Sequence, residues 1–177
     1  MKWSVKYICM TGIGIALFAA LTLCLQVPVF ENYYLCLGYV AMAVYCYCVG
    51  TVSGTIVGAL GVVAYCLITS GLRGMPGWTI GNIVIGLALG LVFRLLRGRK
   101  MTPLIVLIYA ATVILATAAG ILGIKSIVEW ILYAQPFIVR AAKNIYAFVA
   151  DAVVLLVSLP VCMVIYPRVK PLVVSGR

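Results

Sequence analysis

Between two apolar runs the sequence reads GLRGMPGWTIGN, Gly71 to Asn82, and places a guanidinium, an indole and a carboxamide close together on Arg73, Trp78 and Asn82. Groups of this kind hold a ligand rather than transform it. An aromatic side chain sandwiches a flat ring while Arg or Asn fixes its polar edge, the usual division of labour in a mostly apolar site. Turnover would need parts that are scarce here. The chain has no histidine and no Cys-x-x-Cys, and its three carboxylates are Glu31, Glu129 and Asp151, so acid/base and metal-assisted reactions lack their usual groups. No Gly-x-x-x-x-Gly-Lys-Ser/Thr loop occurs, so ATP cannot be hydrolysed by that route. The expectation is a non-catalytic protein with no cofactor and no metal.

The elements that carry these groups follow from the solvent. Hydrophobic residues make up 66% of the 177 and charged residues 9%, with a mean hydropathy of +1.25. This predicts an all-α integral membrane protein. Six short transmembrane helices are expected at about 7–27, 35–50, 52–69, 78–96, 103–124 and 144–166, in one bundle, with residues 1–177 as a single transmembrane domain and no room for a soluble one. Pro28 and Pro167 close the first and last. The cluster Gly50-Thr51-Val52-Ser53-Gly54 folds one long apolar stretch into two helices. Ser126–Lys143, broken by Glu129, Gln135, Pro136 and Arg140, reads as an interfacial segment, with helix six able to reach back to Ile138. The first apolar stretch is too long for a signal-peptide core and is expected to remain as a span.

With both termini cytoplasmic, the inner side collects Lys2, Lys6, Arg94, Arg97, Arg99, Lys100, Arg168, Lys170 and Arg177, nine of thirteen cations, and leaves Arg73, Lys125, Arg140 and Lys143 outside. That excess is a topology signal and needs no nucleic acid. The candidate pocket then comprises the polar residues of the outer side. Glu31, Asn32, Tyr33 and Tyr34 lie in the first outer loop; Arg73, Trp78 and Asn82 in the stretch quoted above; Glu129, Tyr133, Gln135, Arg140, Lys143, Asn144 and Asp151 flank the last loop. In the expected geometry Gly74, Pro76 and Gly77 form a tight turn that aims Trp78 and Asn82 at the ligand, with Arg73 at the rim. The tyrosines and Trp78 would equally suit an aromatic belt at the membrane interface. Asn82, a turn into its helix, needs a polar partner at that depth. Asn144 and Asp151, seven apart, share a helix face; Asp151 either meets ligand or pairs with a basic residue of the bundle. The outer cations Arg73, Arg140 and Lys143 favour a carboxylate-bearing or electron-rich ligand over a cationic one.

On helix one, Gly12, Ala16 and Ala20 recur every four residues and form a small-residue stripe that lets another helix approach closely. It serves either a partner subunit or packing within the bundle. Gly50, Gly54, Gly58 and Gly61 suit internal packing, and the seven cysteines suit apolar filler.

The segments GIALFAAL, NYYLCLGYVAMAVYCYCVGTVSGTIVGALGVVAY and GMPGWTIGNIVIGLALGLVF together resemble the substrate-binding S components of energy-coupling factor transporters, over nearly the whole chain. Ala16 and Ala20 match the family's Ala-x-x-x-Ala. The second segment resembles its Tyr-x-x-Leu-Gly start to helix two, with Tyr39 where the family often has Asp, and the third its aromatic-Pro turn and Gly-rich helix four. The resemblance implies capture of a vitamin or precursor (riboflavin-, pantothenate- or pyridoxine-like) near the outer face of a prokaryotic cell membrane. It also implies a transmembrane coupling subunit, docked on the small-residue stripe, and two cytosolic ATPases that drive inward release. Two other readings fit the size: an MreD-like membrane scaffold, and a small membrane enzyme of lipid metabolism.

Overall fold

The structure, a computed structural model, describes residues 4–24, 27–30, 33–97, 99, 102–134 and 136–174. Helix α1 (Val5–Cys24) leads into a two-stranded antiparallel hairpin, β1 (Val27–Phe30) and β2 (Tyr33–Leu35), followed by α2 (Gly38–Cys48), α3 (Thr51–Thr69) and α4 (Met75–Leu96). Then come α5 (Pro103–Thr117), a π-helical segment Ala118–Lys125, α6 (Ser126–Tyr133) and α7 (Phe137–Val174). Helices α1, α3, α4 and α7 and the continuous rod 103–133 are each long and apolar enough to cross a membrane. The chain is a multi-pass membrane protein, with six helical rods among the described residues, of which α2, with 11 residues, covers only about half of a hydrocarbon core roughly 30 Å thick.

Two elements differ from the sequence expectation. Residues 126–133, expected at the interface, instead prolong the fifth rod, because i→i+5 hydrogen bonding carries the helix through Gly120 and Gly123 without a break. The sixth rod begins at Phe137, before Asn144 and one residue beyond the Ile138 to which helix six was expected to be able to reach back. The first connection is a hairpin, a form that its apolar residues did not announce. Its register slips between Pro28 and Phe30, where Pro28, lacking an N–H, cannot complete the ladder.

Small residues bring the helices together. Gly86 and Gly90 of α4 sit against Thr55 and Thr51 of α3, and Gly54, Gly58 and Gly61 of α3 against Cys46, Met42 and Phe18. The bend between α2 and α3 falls at Gly50, whose φ of 140° suits glycine. Thr11 and Ser53 hydrogen-bond across α1 and α3 at 2.8 Å. Another close approach joins α4 to the π segment: a Cβ on Gly81 would stand 2.7 Å from the Gly120 carbonyl oxygen. That neighbour is backbone and cannot rotate away. Gly81→Val should therefore force the two rods apart and cost roughly 1–3 kcal/mol or more, read as a lower unfolding temperature of the purified protein. An unchanged midpoint would show that the rods are free to separate.

The stripe Gly12, Ala16 and Ala20 faces away from the bundle, and a Cβ on Gly12 would meet nothing within 4 Å. The inward face of α1 is instead Thr11, Gly14, Phe18, Ala19 and Thr22.

Candidate substrate cavity

At one end of the bundle the C-terminal ends of α1 and α3, the start of α4, the end of the π segment and the upper part of α7 converge. There they enclose a cavity of 490 Å³ lined by Thr22, Cys36, Tyr65, Cys66, Thr69, Gly71, Gly74, Trp78, Lys125, Ala147 and Asp151. Its size lies within the usual range for small-molecule sites. The opposite end is closed by aromatics: Tyr47 meets Phe93 and Tyr166 edge-on at 5.0 and 5.2 Å, and Phe93 stacks on Tyr109 at 5.3 Å. Arg97 lies over the Tyr166 ring and donates to the Tyr47 carbonyl, sealing that layer.

Trp78 is the principal wall. Its ring meets Tyr65 edge-on at 5.7 Å, and the Lys125 ammonium stands 6.0 Å from the indole centroid, within cation–π range. Its Nε1–H donates to the Tyr39 hydroxyl at 2.9 Å, which donates to Asn82 Oδ1 at 2.7 Å, while Asn82 Nδ2 donates to the Gly58 carbonyl at 3.0 Å. This chain ties α4 to α2 and α3 and fixes the indole plane. Asp151 is buried and lies in electrostatic reach of Lys125 and Tyr39. One amine and one carboxyl group thus line the same apolar space.

Cys36 sits between β2 and α2, with its sulfur 3.3 Å from Thr22 Oγ1. Its side chain is buried, at 3% exposure. A buried cysteine of this kind serves as a small apolar part of the wall.

The expected site residues divide into those that line this space and those that do not. Trp78 and Asp151 line it. Asn82 lies behind Trp78, fully buried and satisfied by Tyr39 and Gly58. Arg73 is exposed, with its guanidinium 5.2 Å from the Tyr133 ring and its carbonyl accepting from the Tyr133 hydroxyl. Those two residues clasp the α3–α4 and α6–α7 connections beside Gly71 and Gly74 of the cavity wall. Arg140 and Asn144 gather with Glu129 and Ser126 in a separate buried cluster, and Lys143 is exposed. Tyr33 and Tyr34 stand on β2; Glu31, Asn32 and Gln135 fall outside the described residues. The turn before α4 is formed by Leu72 to Gly74, since Pro76 and Gly77 already belong to the helix. Gly77 has another use: a Cβ there would stand 3.1 Å from the Lys125 carbonyl, so its absence lets the π segment close on α4.

Lys125 is the cavity residue that sequence reading left among the outer cations. Its signal was available, since it ends the charge-free run 103–124, and an ionisable group bordering a span generally has a function and a partner. Tyr39, Thr22, Tyr65 and Thr69 gave no such signal.

Asn82→Ala should act on stability before binding. It would leave the Tyr39 hydroxyl without its acceptor, at a cost of about 1–3 kcal/mol, and the unfolding temperature should fall. Weaker ligand binding would follow only through a loosened Trp78. A large affinity loss at unchanged stability would mean that the amide reaches the ligand after all.

A family model described as ECF-type riboflavin transporter, S component, matches residues 2–167. The chain belongs to this family. S components are substrate-binding transport subunits and not enzymes, and they work with a vitamin-type substrate, a coupling subunit and ATPases. No curated protein and no solved structure matches the chain.

Proposed function

We propose that the chain captures riboflavin or a closely related flat vitamin in the cavity beside Trp78, from outside the cell, and hands it inward with a coupling subunit and two ATPases on separate chains. The observation that carries this reading is the joint presence of Trp78, Lys125 and Asp151 on one 490 Å³ space. Trp78 and Tyr65 supply aromatic surface for a fused ring, and the opposed charges supply a donor and an acceptor for its polar edge. Because Asp151 accompanies Lys125, the cavity suits a neutral heterocycle better than the carboxylate-bearing ligand that the outer cations alone would favour.

The cavity end faces outward in this reading. The other end carries the exposed Lys6, Arg94, Arg99, Arg168 and Lys170, which belong on the cytoplasmic side, as do both termini. The outward-turned stripe Gly12, Ala16 and Ala20 receives the coupling subunit, since small residues permit close helix approach where lipid offers no hydrophobic drive. Titration calorimetry of the purified full chain with riboflavin, pantothenate and pyridoxine tests the assignment. Tight binding of riboflavin alone is expected. Preference for either of the others would reassign the substrate, and binding of none would remove the importer reading.

A further inference from the structure

Four ionisable groups crowd one side of the cavity. Lys125 and Asp151 line it, while Glu129 and Arg140 stand behind without touching it. Glu129 follows Lys125 by four residues, so the two side chains share a face where the π segment passes into α6. Its carboxylate is buried, at 5% exposure, and is held from α7 at two points: Arg140 Nε lies 3.8 Å away and Asn144 Nδ2 3.4 Å. The same Asn144 amide donates to Ser126 at 2.9 Å, which pins the first turn of α6 to α7 directly after the cavity lysine.

Stability alone does not account for this arrangement. A buried ion pair is commonly no better than well-packed apolar side chains of the same volume. The cluster also leaves Asn144 Oδ1 and Arg140 Nε buried without a hydrogen-bond partner, so Arg140 meets Glu129 as an ion pair alone. What the cluster does serve is Lys125. The groups facing that ammonium are the Trp78 ring, Asp151 and Arg140 on α7, Cys66 on α3, and Glu129, one turn on along its own rod.

We propose that Glu129 is a positioning residue: clamped by Arg140 and Asn144, its carboxylate holds the Lys125 ammonium against the cavity wall, where it meets the acceptor edge of the ligand. Glu129 itself never contacts the ligand. The proposal rests on the reading of the cavity as a riboflavin site. Arg140 and Asn144, chosen from the sequence as ligand contacts, act here at two removes.

A double-mutant cycle on the purified full chain decides it, using riboflavin as the probe and Glu129→Gln, Lys125→Met and the pair together. Glu129→Gln keeps the side-chain volume and an acceptor for the Asn144 amide but removes the charge. It should weaken riboflavin binding about tenfold, and Glu129→Asp should recover most of the loss. In the Lys125→Met background the same substitution should change affinity by less than about twofold, because its effect passes through the lysine. Fold-losses that multiply, or a Glu129→Gln protein that binds like the parent, overturn the proposal. The cycle is repeated on unfolding temperature without ligand, where the two shifts should again be less than additive. If the parent protein does not bind riboflavin but the ligand-free cycle shows coupling, the positioning role stands and the substrate assignment falls; additive shifts there remove the positioning role.

Discussion

Tryptophan at both Ala16 and Ala20 should abolish ATP-driven uptake while leaving riboflavin binding to the isolated chain within about twofold of the parent. Both positions lie on the outward face of α1 with Gly12, and the cavity takes from α1 only Thr22. Two indoles on that face would hold a partner helix several ångströms off, where dispersion contacts are lost. Nothing inside the bundle needs to move, so the fold and the cavity are spared. Uptake in cells carrying the ATPases and coupling subunit, measured beside calorimetry on the purified protein, separates the two effects. Normal uptake at normal expression would show that the partner docks elsewhere.

Trp78→Ala should reduce riboflavin affinity roughly 100-fold, about 2.8 kcal/mol. The substitution removes the aromatic wall, its edge contact with Tyr65 and the hydrogen bond that orients Tyr39. Loss of a buried ring's apolar contact and of its stacking preference together account for an effect of that order. Trp78→Phe provides the internal control. It keeps a stacking surface but lacks the Nε1–H, so it should lose only about tenfold, near the net value of one hydrogen bond plus a smaller ring. Alanine binding like the parent at unchanged unfolding temperature would place the ligand outside this cavity.

Several features of the fold and site were legible before any coordinates. Apolar runs of span length and the breaks at Pro28, Gly50 and the basic run after Leu96 reflect local chemistry, and a linear reading recovers them. Trp78 and Asp151 were legible for a related reason: an indole beside a turn and an acid inside a span both stand out against hydrocarbon. Asn82 stood out as well, and at depth its amide did require partners, but Tyr39 and Gly58 supply them. The sequence could show that the amide must be satisfied. It could not show by what.

By itself, then, the amino-acid order determined the solvent, the approximate spans, the poverty of catalytic groups and the family resemblance. These depend on composition and on neighbours a few residues apart. The tertiary structure decided which side of each helix faces its neighbours. It turned the stripe Gly12, Ala16 and Ala20 outward, and it set Thr22 and Asp151, 129 positions apart in the chain, on one cavity. The fifth rod gives the clearest physical reason. Read as ordinary α-helix, residues 118–133 would carry their side chains around the axis at a constant angle per residue. The π segment Ala118–Lys125 fits extra residues into each turn, resetting every later side-chain direction. With that reset, Lys125 lines the cavity and Ser126 and Glu129 are buried against α7. The π segment packs on α4 where Gly81 and Gly120 meet at the backbone, a contact between distant parts of the chain that no reading along one segment contains.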